Sequence, residues 1–298
     1  MARIANMTAE ASTSRRNLLK GGAATMMVGT TAAANGRSAE AQTLANGRGG
    51  RFQGKVIAIT GGNSGIGASA VRAFAMEGGK VVFGARRDSL GRDIEAELRS
   101  AGADVTWLQT DVRDPEQVAR FIQTATEEYG ALDVLFNNAG IFMTPNNVDE
   151  ISLENFDDLM RTNVHGVFYG MKYAVPVMRA QGSGVILNMA SVAAHRGLPN
   201  TAHYNASKHA VLGLTRAGAQ LARENIRVTA ISPFAVATPM LEEGFRHMGM
   251  DPALLAHHFV TPRIMQPEEI AQIALFLASD AAAAFNGTDF DASGGEMA

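Results

Sequence analysis

From Lys55 onward, short apolar runs recur along the chain, separated by longer stretches in which apolar positions return every three to four residues. Residues 56–60, 80–85, 105–110, 134–137, 185–189 and 227–232 read as strands, with a weaker seventh at 288–291. Several, such as Val-Ile-Ala-Ile, are near-continuous apolar runs, the pattern of strands covered on both faces. Between them, Val71, Phe74 and Ala75, and then Val118, Phe121, Ile122 and Ala125, keep the spacing of one helical face. Asp114-Pro115 and Gln266-Pro267 suit helix starts, where proline's missing N–H is not needed. The alternation predicts right-handed βαβ units and one α/β domain, a doubly wound parallel sheet of about seven strands with helices on both faces.

The first fifty residues break this pattern. Residues 1–51 carry seven Arg and Lys against two acids, a net of +5, while the remainder carries −8. Arg15-Arg16, a trailing Leu-Leu-Lys, an uncharged stretch over residues 21–34 and the small pair Ala39/Ala41 follow the layout of a bacterial export signal. The paired arginines resemble the twin-arginine type. The expectation is a signal over residues 1–41, a Gly/Asn/Arg-rich linker at 42–52 and a catalytic domain at 53–298. Such a chain would meet the export machinery and reside in the periplasm, or in the cytoplasm if the signal goes unused.

Composition narrows the chemistry. Apolar residues make up 46% and charged residues 18%, as in a soluble globular enzyme. The acidic folded part gives no electrostatic footing for nucleic acid, and no apolar run suggests membrane contact beyond export. Absence of cysteine excludes disulfides, thiolate metal sites and a cysteine nucleophile. The seven histidines do not cluster at metal-ligand spacing, so no metal is expected. His257-His258 reads as structural or pocket-lining, and His195 and His203 as local polarity. The fifteen methionines fill cores or line an apolar pocket.

Directly after the first strand, Gly61, Asn63, Ser64, Gly65, Ile66 and Gly67 open into a helix. Glycine lets the backbone turn tightly and approach a pyrophosphate, which then faces the free N–H groups of the helix N-terminus. With that Gly-x-x-x-Gly-x-Gly spacing, Asp111-Val112, Asn137-Asn138-Ala139-Gly140, Asn163, Ser191, Tyr204 with Lys208, and Pro233 through Thr238, the sequence resembles the compact branch of the short-chain dehydrogenase/reductases. The resemblance spans residues 53–298 and implies a Rossmann-type sheet, a nicotinamide cofactor and, in a family tetramer, a homo-oligomer.

Tyr204 and Lys208 lie four apart, so on a helix they share a face. A free phenol has a pKa of about 10, and a neighbouring ammonium is expected to lower it toward a useful range. The resemblance implies that Ser191 bonds the substrate oxygen, Asn163 completes a proton relay through Lys208, and Tyr204 protonates the carbonyl oxygen as hydride reaches its carbon. It also places Asp111 and Val112 at the adenine, Asn138, Ala139 and Gly140 along the cofactor, and Pro233, Val236 and Thr238 at the nicotinamide. Phe234 departs from the glycine usual after that proline. The second strand ends at Ala85 where an acid normally grips the ribose, and Arg86 follows, with Arg87 beside it. This favours NADP, with NAD possible and Arg86 the preferred contact. Met, Phe and Leu among residues 239–261 suggest a moderately apolar alcohol or ketone substrate. If the enzyme is exported, the cofactor would travel bound and be recycled in the site. The competing readings are a non-catalytic NADP-binding sensor or scaffold, and a sugar epimerase or dehydratase.

Overall fold

Apolar residues dominate the seven strands that form, and their burial explains the near-continuous apolar runs. All five residues of β1 (Val56–Thr60) are buried. In the computed structural model, which describes residues 50–247, 256–257 and 259–298, β1 pairs with β2 (Lys80–Ala85) and β4 (Val134–Asn137). Outside these run β3 (Val105–Gln109) on one side, and β5 (Gly184–Met189), β6 (Ile226–Pro233) and β7 (Asp289–Ala292) on the other. The order is β3-β2-β1-β4-β5-β6-β7 with every pairing parallel, the expected doubly wound sheet. Strand order reverses between β1 and β4, so a crevice opens there at the carboxyl ends, where α/β sheets bind ligands.

Helices cover both faces. On one, α1 (Gly65–Met76) and α8 (Pro267–Ala278) enclose a core built around Phe74, Phe83, Phe136 and Leu275. α2 (Asp88–Ser100) extends that layer over Trp107, whose indole N–H donates to Asp88 at 2.9 Å. On the other, α3 (Pro115–Tyr129) and α5 (Gly166–Gln181) bury Phe121, Ile122, Ala174 and Met178 against Ile186. Both proline-marked helix starts form. Asp114 accepts from the amides of Glu116 and Gln117, and the Glu269 carboxylate accepts from the Gln266 amide at 2.8 Å. Shorter helices α4 (Leu153–Met160) and α7 (Pro239–His247), and the long α6 (Ala202–Gly218), complete the layers.

Several boundaries differ from expectation, those of the strands by one residue. The expected linker ends too late: Phe52 is 2% exposed with its ring edge-on to Phe74, and Arg51 pairs with Glu77, so both belong to the fold. The seventh strand starts one residue later than expected, at Asp289. The expected export signal, His258, Met248 and Met250 lie outside the described residues.

Candidate active site

The glycine loop is shaped by close backbone approach. Gly61 adopts φ +68°, and a Cβ there would come within 2.9 Å of Ala139 Cα. A Cβ on Gly67 would sit 2.1 Å from Gly61 O. Asn138 ties the loop to β4, its Nδ2 donating to Thr60 O at 3.0 Å. The Thr60 hydroxyl accepts from the amides of Asn138 and Ala139, both at 3.1 Å. Ser64, the residue before α1, makes no capping hydrogen bond; its hydroxyl accepts from Arg87 at 2.8 Å instead. The first-turn N–H groups of α1 are thus left for an anion. Asn63 donates to Arg87 O at 2.8 Å, fixing the loop to the end of β2.

The tandem arginines diverge. Arg87 reaches the glycine loop, whereas the charge of Arg86 is felt at Asp111. The sequence puts both arginines at this position with Arg86 preferred, since adjacent residues give no hint of which one faces the loop. Burial works against the charge of Asp111, but Arg113 outweighs it and holds the carboxyl below its usual range. Arg113 also pairs with Asp158 on α4, a clamp that sequence reasoning missed. Val112 packs against Gly166, where an added Cβ would meet it at 2.9 Å.

Asn163 sits in a π-helical turn, Arg161–His165, between α4 and α5. It is 1% exposed; Oδ1 accepts from the Ile141 amide at 2.8 Å and Nδ2 donates to Ile141 O at 3.0 Å. A second Nδ2 bond, 3.2 Å to the Ser207 hydroxyl, joins it to α6. Wide turns of this kind recur at functional sites, because the extra residue redirects a side chain. Gly140 faces this group: a Cβ there would lie 3.3 Å from Asn163 Oδ1 and 3.7 Å from Lys208 Nζ.

Ser191 follows β5 and heads a short 3-10 turn, Val192–Ala194, accepting from the Ala193 amide at 3.2 Å. The same hydroxyl lies near enough to the Tyr204 phenol to favour its ionised form. Lys208 Nζ donates to Met189 O at 2.8 Å and lies 5.6 Å from the Tyr204 ring centroid. Phe142 meets the same ring edge-on at 5.0 Å. The expected lowering of the phenol pKa is not what this protein shows. Burial pushes Tyr204 up, opposed by the Ser191 hydroxyl, and burial pulls Lys208 down to about 8. The apolar surroundings penalise both charged forms, and the ammonium is spent on a carbonyl rather than on the phenol oxygen. Beyond Pro233, Phe234 packs edge-on against Phe259 at 4.8 Å, the use this chain makes of its departure from glycine. Thr238 accepts from the Leu241 amide at the start of α7, and a Cβ on Gly65 would meet its methyl at 2.9 Å. Val236 bridges to Met265.

Residues 61–296 match the family model described as enoyl-(acyl carrier protein) reductase. Levodione reductase of Leifsonia aquatica is 37% identical over 256 residues, covering 83% of this chain and 96% of that protein. The chain belongs to the short-chain dehydrogenase/reductase family. Cyclohexanol dehydrogenase of an Acinetobacter strain is 34% identical over 245 residues, covering 82% of this chain and 95% of that one. Among solved relatives, a 3-ketoacyl-(acyl-carrier-protein) reductase from Brucella melitensis complexed with NADH superposes with a TM-score of 0.77 at 33% identity. It covers 83% of this chain and 99% of its own. This short-chain dehydrogenase/reductase is therefore a nicotinamide-dependent oxidoreductase acting on alcohol or ketone groups.

Proposed function

We propose that the chain interconverts a compact cyclic secondary alcohol and its ketone using NADP(H), with Tyr204 as general acid and base. The observation that carries this reading is the convergence of Asn163, Ser191, Tyr204 and Lys208 at the carboxyl edge of the sheet, beside Gly140 and the glycine loop. The uncapped start of α1 fits a pyrophosphate, and Asn138 through Gly140 would lie along the rest of the dinucleotide. When bound, the nicotinamide supplies or accepts the hydride. Ser191 orients the substrate oxygen through its hydroxyl, and Tyr204 gives that oxygen its proton. Burial keeps the phenol protonated through neutral pH, the form that ketone reduction needs. Lys208 and Asn163 then return a proton to Tyr204 through water.

The experiment is a spectrophotometric assay of cyclohexanone and cyclohexanol with NADPH and NADP. Tyr204→Phe is expected to lower kcat by at least about a thousandfold with little change in cofactor affinity. Unchanged turnover sinks the mechanism. In the wild type, alcohol oxidation should climb with pH toward the raised Tyr204 value, while ketone reduction stays level through neutrality.

NADP is favoured because Ala85 supplies no acid to repel a 2′-phosphate, while Arg86 and Arg87 follow it directly in the chain. Replacing both arginines by alanine should cost about tenfold or more in kcat/KM for NADPH and little for NADH. Equal losses for both would point to NAD. The substrate class rests on the names of the two similar enzymes and on the apolar neighbours of Tyr204, Phe142 and, next to Phe142, Gly244.

We also propose a homo-oligomer, supported by exposed Leu153, Phe156 and Phe168 on α4 and α5, and export through the twin-arginine route, supported by the Arg15-Arg16 pattern. Analytical ultracentrifugation showing a monomer would refute the first. Fractionation showing only uncleaved, cytoplasmic chain would refute the second.

A further inference from the structure

Two carboxylates near the C-terminus reach the turn that carries Ser191. Asp289, the first residue of β7, accepts through Oδ2 from the Ser232 hydroxyl at 2.7 Å and bonds His195 Nε2 at 2.5 Å. His195 closes the 3-10 turn that Ser191 opens, and Ser232 precedes Pro233 at the end of β6. One oxygen thus joins the two walls of the site. The Asp289 side chain is 9% exposed, and its other oxygen is buried without a hydrogen-bond partner. Buried polar atoms left so are uncommon and ask for a reason beyond simple stability. Next along the turn, Arg196 pairs with Glu296 at 3.2 Å, while the second Glu296 oxygen accepts from the Val260 amide at 2.7 Å. The Arg196 guanidinium also lies 5.5 Å from the Phe234 ring, one residue past Pro233.

From this geometry we infer that Asp289 is a positioning residue: through His195 and Ser232 it holds the Ser191 hydroxyl in register with the loop over residues 233–238. The inference rests on the proposed role of Ser191 at the substrate oxygen. It assigns His195 more than local polarity, and it places the C-terminal strand in the reaction without contact to the reacting atoms. A carboxylate that merely fastened β7 to the sheet would be read in stability alone. One that sets the Ser191 position is read in turnover.

The test uses the full chain with Asp289→Asn and His195→Gln, singly and together, cyclohexanone and NADPH being the probes. Expected are a fall in kcat of about tenfold for each single variant, a double variant little worse than either, and NADPH dissociation constants within about twofold of wild type. Amide hydrogen exchange over residues 192–195 should quicken by about tenfold or more, while β1 to β4 keep their protection. Unchanged kcat with unchanged local exchange overturns the inference. So does a parallel loss of NADPH affinity and of protection across the whole sheet, which marks a structural role only. If wild-type protein binds NADPH but reduces no cyclic ketone, the proposed function fails, and the local exchange result alone decides whether Asp289 positions the Ser191 turn.

Discussion

At the scale of single residues, burial decides the state of the tyrosine–lysine pair. The four-residue spacing of Tyr204 and Lys208 was legible in the sequence because it is a local property of a helix. The direction of their pKa shifts was not, because desolvation sums over neighbours contributed by distant segments. Lys208 at about 8, against the ordinary lysine value of 10.5, marks an ammonium that costs stability in the folded state. The unfolded chain binds that proton more tightly, so stability rises with pH between those two values. Lys208→Met removes a penalty of roughly 3 kcal/mol and loses one hydrogen bond of about 1 kcal/mol. The expected outcome is an inactive variant whose Tm at pH 7 is a few degrees higher, an advantage that fades above the unfolded lysine value. Paired thermal melts at pH 7 and pH 10.5 check it.

Secondary-structure elements were read closely where the signal was periodic. The strands fall within a residue of expectation, and Asp114 and Gln266 begin helices as their following prolines suggest. The π-helical turn at Arg161–His165 was missed, since nothing in a local pattern announces it. Asn163 stands there because Ile141, twenty-two residues earlier, offers both backbone groups to its carboxamide. The glycine loop is the converse case, legible in spacing yet enforced by packing. Gly67→Ala would drive a methyl into Gly61 O and the Asn138 amide. Expected are a stability loss of about 1–3 kcal/mol and a marked drop in NADPH affinity. Denaturant melts and a fluorescence titration measure the two. An alanine variant that binds NADPH normally would argue against pyrophosphate at this loop.

For the whole molecule, the parallel order β3-β2-β1-β4-β5-β6-β7 puts the glycine loop, Asn138 and Ser191 along one edge. A ligand seated there binds the folded state alone and stabilises it by mass action, by about 2.7 kcal/mol at a hundredfold excess over Kd. NADPH should therefore raise Tm by about 5–10 °C, and NADH by less at equal concentration if the arginine pair reads the phosphate. Differential scanning calorimetry with each cofactor checks the proposal without any substrate.

The strands, the main helices, the α/β class, the glycine cradle and the tyrosine–lysine face follow from local sequence, because each depends on residues within a turn or two of one another. Tertiary structure alone decided that Arg87 turns to Ser64, that Asn163 grips Ile141, and that Asp289 meets His195 from ninety-four residues away. It also decided which protonation states the buried pair prefers. These outcomes depend on which distant segments become neighbours and how much water they exclude, and the sheet order sets both.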